Sequence, residues 1–401
     1  MKKLALLLAV VLLLALPGCG AESSLLAGVT ASERGEAADA AELAADFTME
    51  LFNAAYEGGD ALISPVSVLA ALAMAEAGAE GETLAQMEEV FGVDAETMRL
   101  ALSAYMSSVA GTEAKTANAI WFRDDGSFVP NGGFLADCAS FAGAEVFADE
   151  FTTALAGEIN GWIKEHTDGM IKDVLDEIDP SAVMNLVNAL AFEADWAEQY
   201  EEYQVRDGEF NAEDGVKTVE MMYSDESTYL EGDGFTGFMK PYKGGRYAFA
   251  ALLPDETSSL EALLGSLTGE TLADALENAQ NTPVETATPG FSSEYAAELS
   301  ETLMGMGMAD AFDGETADFS GMGRSALGNI YINRVLHKTF IDVTPQGTRA
   351  GAATVVEMNA ESAPMVENAK QVYLDRPFAY MIVDTQYNIP LFFGTVTGEA
   401  F

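Results

Sequence analysis

The chain has 401 residues, 49% of them hydrophobic, which is enough to bury the core of one large domain or of two ordinary ones. Its 65 acidic residues outnumber 19 Lys and Arg, so the formal net charge is −46 at pH 7. Such a charge repels nucleic acid and anionic lipid headgroups, and we expect neither a nucleic-acid partner nor electrostatic membrane binding. The acidity otherwise indicates a solvated surface.

The N-terminus has the features of an export signal. Lys2 and Lys3 precede the apolar run Leu4–Leu16, which is short for a membrane span and ends in Leu-Pro-Gly-Cys. A charged start, a short apolar stretch and small residues before a break predict a signal peptide over residues 1–18. "LPGC" resembles a bacterial lipobox, in which the cysteine becomes the lipidated first residue. Pro17 is unusual there, so ordinary signal cleavage stays open.

Residues 19–40 are therefore expected to comprise a lipidated Cys19 and a flexible tether, since they are rich in Ala, Gly, Ser and Glu. An acyl chain would hold the secreted protein at the extracytoplasmic cell surface and would be its only membrane contact. Cys19 and Cys138 are the two cysteines, so no internal disulfide framework is expected.

Helical patterns dominate the first third of the chain beyond the tether. Apolar residues recur every four positions from Ala41 onwards. Ser64 is expected to cap a helix that Pro65 opens and that ends near Gly78. A later helix is expected to end with Gly169 as its C-cap.

Strand patterns dominate the last half. The predicted strands are residues 116–122, 182–192, 245–254, 339–343 and 390–398. Helices first and strands later indicate a mixed α+β domain rather than alternating βα units.

No catalytic constellation is visible. The two histidines, His166 and His337, have no metal-ligand spacing to another His, Cys or carboxylate pair, and structural roles are favoured for both. Cys138 lies among apolar neighbours, as a buried small hydrophobe does. We expect neither an enzyme, nor a metal, nor a cofactor.

An unusual segment lies between Thr344 and Pro364. Its ends look like loops, yet residues 352–363 contain no Gly or Pro. Read with period two, one face carries no charge and the other carries all three charges, as in a strand with one buried face. The uncharged face comprises Thr348, Ala350, Ala352, Thr354, Val356, Met358 and Ala360. A flexible loop of small residues is the alternative.

Six stretches resemble the serpin family in order and spacing. They are "ISPVSVLAALAMAEAGAEGETLAQM", "INGWIKEHTDGMI", "LVNALAFEADW", "LMGMGMADAFD", "VLHKTFIDV" and "QGTRAGAAT". The resemblance covers about residues 45–400. It implies a single serpin domain over residues 41–401, with three β-sheets, eight to nine helices and an exposed reactive-centre loop.

The resemblance also implies a function for the unusual segment. In an inhibitory serpin a serine protease cuts the loop and is held as an acyl-enzyme. The freed segment then inserts as a new strand of the main sheet and drags the protease along. Fourteen extended residues span roughly 46 Å at about 3.3 Å each, enough to carry a protease across a domain.

Residue roles follow from the matched motifs. The hinge is Gly347, Thr348, Arg349, Ala350, Gly351, Ala352, Ala353 and Thr354. Ser64, Ser67, Asn188 and His337 correspond to the "shutter" beneath the strands that part, and Trp196 to the "breach" where insertion starts. Counting fourteen residues from Gly347 predicts the reactive bond Glu361–Ser362, with Met365 or Met358 before the bond as alternatives. An acidic residue there suggests a Glu-tolerant or elastase-like target protease.

Some residues depart from the family pattern. Pro345 and Gln346 replace the charged or polar pair usual before the hinge, and the C-terminus lacks the usual closing Asn-Pro. A non-inhibitory serpin or a solute-binding lipoprotein are the alternatives to a monomeric inhibitor, with a glycoside hydrolase as the enzyme rival. The small hinge residues favour inhibition, because bulky or charged hinge residues are typical of non-inhibitory members.

Overall fold

A computed structural model describes residues 39–179, 181–349 and 369–401. The predicted signal peptide, Cys19 and most of the tether lie outside these residues. So do hinge residues Ala350–Thr354, the Glu361–Ser362 bond, Met358 and Met365.

Nine α-helices occur in the described ranges, with two short 3₁₀ turns at Glu202–Gln204 and Asp310–Phe312. None of these helices combines the length and apolarity needed to cross a membrane. The helices are α1 (Asp39–Ala55), α2 (Pro65–Glu76), α3 (Gly81–Phe91), α4 (Ala95–Val109), α5 (Gly132–Phe141), α6 (Leu155–His166), α7 (Leu260–Ser266), α8 (Gly269–Glu277) and α9 (Ser300–Met306).

Eighteen strands are found in the same part of the chain. They are β1 (Leu62–Ile63), β2 (Ala114–Arg123), β3 (Phe128–Pro130), β4 (Glu145–Asp149), β5 (Met184–Phe192), β6 (Ala194–Asp195), β7 (Val205–Ala212), β8 (Gly215–Gly232), β9 (Phe235–Pro241), β10 (Tyr247–Pro254), β11 (Gln280–Pro289), β12 (Phe291–Glu298), β13 (Gly323–Ser325), β14 (Leu336–Val343), β15 (Gly347–Arg349), β16 (Lys370–Tyr373), β17 (Phe378–Asp384) and β18 (Ile389–Val396).

Hydrogen bonding divides the described strands into four groups. The largest has nine strands, ordered β1-β18-β17-β10-β9-β8-β11-β16 with β7 on β8. A four-stranded group runs β12-β14-β15-β6, a three-stranded group β4-β2-β5, and β13 pairs with β3. The predicted α+β class is confirmed. The prediction had three sheets, and the observed number is larger because β5 and β14 are not paired with each other.

Sequence patterns explain the core strands. Every residue of β17 and β18 is buried, which fits their near-continuous apolar runs, and α1 and α2 pack against β18. In β14 the alternate residues His337, Thr339, Ile341 and Val343 are buried, as a strand with one buried face requires.

The start of α2 differs from the prediction in one respect. Pro65 occupies the first helical turn as expected, and Ser64 stands at the N-cap position. Its hydroxyl, however, caps no backbone N–H. It donates instead to the Leu391 carbonyl of β18 at 2.8 Å, so Ser64 ties the helix to the sheet. The predicted cap is therefore wrong in its hydrogen bond and right in its position.

The other end of α2 contains an unusual core residue. Glu76 is only 1% exposed, and neither carboxyl oxygen has a hydrogen-bond partner in the described part of the chain. Burial raises the pKa of Glu76 to about 8, with Arg99 opposing and Glu88 and Asp94 adding to the shift. At neutral pH the folded protein therefore holds this carboxyl mainly in its protonated form.

Candidate functional site

A cleft separates the three-stranded and four-stranded groups. Strand β5 pairs only with β2, and β14 pairs with β12 on one edge and, through Asp342 and Val343 alone, with β15 on the other. The facing edges enclose a cavity of about 410 Å³ lined by residues 184–190 of β5 and 336–339 of β14. Within the described residues, both edges therefore present backbone groups with no strand partner, which is the condition for accepting an added strand.

The four residues predicted for the shutter line this cleft together. On the β14 side, the Ser64 backbone N–H donates to His337 Nε2 at 3.0 Å. On the β5 side, the Ser67 hydroxyl donates to Asn188 Oδ1. The first turn of α2 thus binds both edges of the cleft, one through Ser64 and the other through Ser67.

The β5 side continues into a network that the sequence prediction missed. Asn188 Nδ2 donates to Asn118 Oδ1 at 2.5 Å, and Asn118 Nδ2 donates to the Ala142 carbonyl at 2.7 Å. Asn118 lies in β2 directly opposite Asn188 and is 5% exposed. The sequence does carry a sign of this network, namely Asn118 within the apolar strand "TANAIWF". An amide side chain buried in such a strand needs a hydrogen-bond partner.

His337 is held as a neutral acceptor. Its Nε2 accepts the Ser64 N–H, and burial lowers its pKa to about 4 from 6.5. Between these values the unfolded chain binds a proton that the folded chain does not. The stability that His337 contributes is therefore complete above about pH 6.5 and is lost as the pH falls towards 4.

We expect His337→Gln to remove the loss of stability that protonation of this imidazole causes at acid pH. Gln can still accept the Ser64 N–H but does not titrate. At about 1.4 kcal/mol per pH unit below 6.5, the change in the free energy of unfolding from about pH 7.5 to pH 5 should be about 2 kcal/mol less favourable in wild type than in the variant. Urea unfolding at both pH values measures this difference, and equal changes in the two proteins would contradict the assignment.

At one end of the cleft, Trp196 holds the segment before the hinge. This residue is 2% exposed, and its indole Nε1–H donates to the Thr344 carbonyl at 2.8 Å. Its backbone N–H donates to the Gln346 carbonyl at 3.0 Å, and the Tyr200 N–H donates to the Pro345 carbonyl at 3.0 Å. Pro345 and Gln346, which depart from the family pattern, are thus held through their carbonyls rather than their side chains.

The first hinge residues already lie in the sheet. Gly347–Arg349 forms β15 between β14 and β6. A Cβ on Gly347 would be 2.2 Å from the Ala194 carbonyl oxygen, so only glycine fits this close approach. Thr348 is 2% exposed, and its hydroxyl is 2.5 Å from Tyr242 Oη, while the Tyr242 ring stacks on Trp196 at 4.5 Å.

A buried ion pair supports this aromatic cluster. Lys240 Nζ lies 2.7 Å from Glu226 Oε1 and 4.3 Å from the centre of the Tyr200 ring. Both charged side chains are almost fully buried. Neither residue stood out in the sequence, because one Lys and one Glu on separate strands carry no local signal.

The remaining chemistry-bearing residues form no catalytic arrangement in the described ranges. His166 stacks on Trp162 and lies 3.5 Å from a Glu145 carboxyl oxygen. Cys138 is fully buried, and burial raises the pKa of its thiol. No group of three or more His, Cys, Asp or Glu residues that could hold a metal is found there.

Fold and site together define a class of protein with an incomplete sheet. Two strand edges face each other, and the beginning of a following segment already lies between strands at one end of the four-stranded group. The chain belongs to the serpin family: the family model described as "Serpin (serine protease inhibitor)" matches residues 42–398.

Individual relatives agree along nearly the whole domain. An uncharacterized serpin-like protein of Thermococcus kodakarensis is 31% identical over 361 residues, covering 87% of this chain and 83% of its own length. A leukocyte elastase inhibitor of Xenopus laevis is 31% identical, covering 87% and 96%. The native-state crystal structure of tengpin, a thermophilic serpin, is 40% identical with a TM-score of 0.85, covering 94% and 99%.

Proposed function

We propose that this serpin inhibits serine proteases by inserting its cut loop into the cleft between β5 and β14. The observation that carries the proposal is the open pair of strand edges with β15 already begun beside them. The segment beyond Arg349 needs only to continue in the direction that β15 starts. The name of the Xenopus relative, an elastase inhibitor, supports the same class of activity.

The protease supplies the catalytic groups, and this chain supplies the segment that inserts as a strand. The protease serine Oγ attacks the Glu361 carbonyl carbon, the bond to Ser362 nitrogen breaks, and Ser362 leaves with a free amine. Glu361 stays bound to the serine as an ester. Insertion then moves this ester away before water can hydrolyse it. The protein acts as an inhibitor and contributes no catalytic residue.

The residue before the cut sets the kind of target. Glu361 favours a Glu-tolerant or Glu-specific protease, or an elastase-like enzyme with a small, permissive pocket. Cleavage after Met365 or Met358 would instead favour proteases that accept Met. The serpin fold leaves a non-inhibitory serpin as the main alternative, since the two similar lobes of a solute-binding protein are not found among the described elements.

The location is proposed from the N-terminal sequence. Residues 1–18 would be removed, Cys19 would carry the lipid, and residues 19–40 would tether a monomeric domain of residues 41–401 at the extracytoplasmic surface. Labelling of expressing cells with radioactive palmitate tests the anchor. The label should appear on wild type and be lost in Cys19→Ser.

The activity is tested by mixing the protein with elastase-like, chymotrypsin-like and Glu-specific serine proteases. We expect a covalent complex that survives denaturing electrophoresis with at least one of them. N-terminal sequencing of the released C-terminal fragment should begin at Ser362; a fragment beginning at Val366 or Asn359 would move the bond to the Met alternatives. Cleavage by all three classes without a covalent complex would favour the non-inhibitory alternative.

A further inference from the structure

The last turn of α2 buries a carboxyl group that nothing binds. Glu76 ends this helix and is only 1% exposed, and both of its carboxyl oxygens lack a hydrogen-bond partner among the described residues. A carboxylate here would also lie at the negative end of the helix dipole, in a turn that holds no basic residue. Both features favour the uncharged carboxylic acid at this position.

The neighbouring helices do little to stabilise a charged form of Glu76. Burial is the main cause of its raised pKa, which Arg99 of α4 opposes and which Glu88 of α3 and Asp94, the N-cap of α4, raise further. The first backbone N–H groups of α4 are already bound to these two carboxylates. Ala95 donates to Glu88 Oε1 at 2.9 Å, and the next two donate to Asp94 Oδ1 at 3.0 Å. The start of α4 therefore has no free donors for a third carboxylate.

A contact with α5 fixes the same turn from another side. The thiol of Cys138 in α5 donates to the Met74 carbonyl, two residues before Glu76, at 3.8 Å. Cys138 is fully buried, whereas its neighbour Asp137 is exposed. Since the Cys138 thiol lies against the last turn of α2, its reactivity reports whether this turn is packed or open.

The helix that Glu76 ends is also the one that holds the cleft. Its first turn binds the β14 edge through Ser64 and the β5 edge through Ser67. All residues of α2 except Ala71 are buried, so the helix lies in the core along its whole length. A movement of its last turn therefore begins in the element that joins both edges.

We propose that Glu76 is a proton-dependent latch on the last turn of α2. With its proton, the side chain stays in the core and the turn stays packed against α4 and α5. Without the proton, the carboxylate is stabilised by water, and the turn moves away from α4 and α5 to reach it. Opening therefore exposes the Cys138 thiol together with Glu76. The latch is a property of the folded domain and does not rest on the proposed inhibitory function.

Proton linkage determines the size of the effect. Burial raises the pKa of Glu76 to about 8 in the packed turn, and its ordinary value in water is 4.5. Between these values the packed turn holds a proton that the open turn has released. The ratio of open to packed turn should therefore rise by about tenfold per pH unit. The latch is closed in acid and is progressively released as the pH rises towards about 8.

The test measures how fast a thiol reagent labels Cys138 in protein that carries Cys19→Ser and so has no other cysteine. Glu76→Gln and Glu76→Met both remove the titrating group, and Glu89→Gln removes an exposed carboxylate of α3 as the control. Division by the rate for Glu76→Gln cancels the ionisation of the thiol itself. From about pH 6 to about pH 8 this relative rate should rise roughly 50-fold in protein with Glu76 and in the control, and should stay constant in Glu76→Met.

Equal pH dependence of labelling with and without Glu76 would overturn the latch. Labelling that rises steeply in low urea would also overturn it, because Cys138 would then be reached by global unfolding rather than by opening of one turn. An independent readout is the infrared carbonyl band of a protonated carboxylic acid. It should appear in the difference spectrum between protein with Glu76 and Glu76→Gln at about pH 6 and disappear around pH 8.

Absence of that band at about pH 6 would overturn the latch as well, because Glu76 would then be ionised in the folded protein. No protease enters either measurement. Failure of the latch is therefore distinguishable from failure of the proposed inhibitory function.

Discussion

A single cut within residues 355–365 is expected to raise the unfolding midpoint of the protein by about 20 °C or more. The cut frees the segment after β15 to pair with both open edges of the cleft. About fourteen new backbone hydrogen bonds at about 1 kcal/mol each, with roughly 2 °C per kcal/mol for a domain of this size, set the scale. Thermal unfolding of intact and cut protein, followed by circular dichroism, measures the difference.

The control for this experiment is a variant whose cut segment pays a penalty on insertion. Cut Ala352→Glu should unfold about 6 °C below cut wild type, because burying its unpaired carboxylate costs about 3 kcal/mol. Equal unfolding midpoints for intact and cut wild type would contradict the insertion mechanism. A rise of the same size in cut Ala352→Glu would show that the gain arises from release of the loop rather than from insertion.

Ala352→Glu is also expected to turn the inhibitor into a substrate. Ala352 has the same parity as Thr348, which is 2% exposed and faces Tyr242. If the alternation continues, the new carboxylate is buried without a partner at a cost of about 3 kcal/mol. That slows insertion by roughly 100-fold, and the acyl-enzyme hydrolyses first. The measurement is the number of serpin molecules consumed per protease inhibited, which should rise well above one.

Ala353→Glu is the matched control, since it makes the same change one residue along, on the opposite face. It should keep a stoichiometry near that of wild type. Arg349→Glu is a poorer control, because Arg349 stands directly opposite Asp342 in the pairing of β14 with β15. The substitution would place two carboxylates opposite each other, which destabilises a pair of strands. Equal stoichiometry in Ala352→Glu and Ala353→Glu would refute the predicted faces.

The sequence predicts the elements well where local patterns determine them. The alternation of β14, the proline that opens α2 and the continuous apolar run of β18 all identify their elements correctly. Their arrangement is harder to predict, because contacts such as Ser64 to Leu391 join residues more than 300 positions apart. The sequence predicts that the Ser64 hydroxyl caps the helix, because a local pattern cannot show that the Leu391 carbonyl lies within reach in the folded chain.

The residues of the site also fall into those that local motifs predict and those that they do not. Ser64, Ser67, Asn188, His337 and Trp196 were predicted from motifs, and the structure places the first four at one cleft and Trp196 at its end. Asn118, Tyr242 and the Lys240–Glu226 pair were not predicted. Each acts through a partner on another strand, and a partner of that kind leaves no spacing signal in the chain.

Glu76 and His337 have a joint consequence for proton exchange on folding. Between pH 4.5 and 6.5 the unfolded chain carries one proton on this pair, at the imidazole, because the ordinary carboxyl pKa is 4.5 and that of histidine is 6.5. The folded chain also carries one, at the Glu76 carboxyl, since the folded pKa values are about 8 and about 4. Folding thus exchanges the site of the proton without taking one from solvent or releasing one. Across that interval the pair contributes no pH dependence to stability, although each residue alone would contribute one of opposite sign.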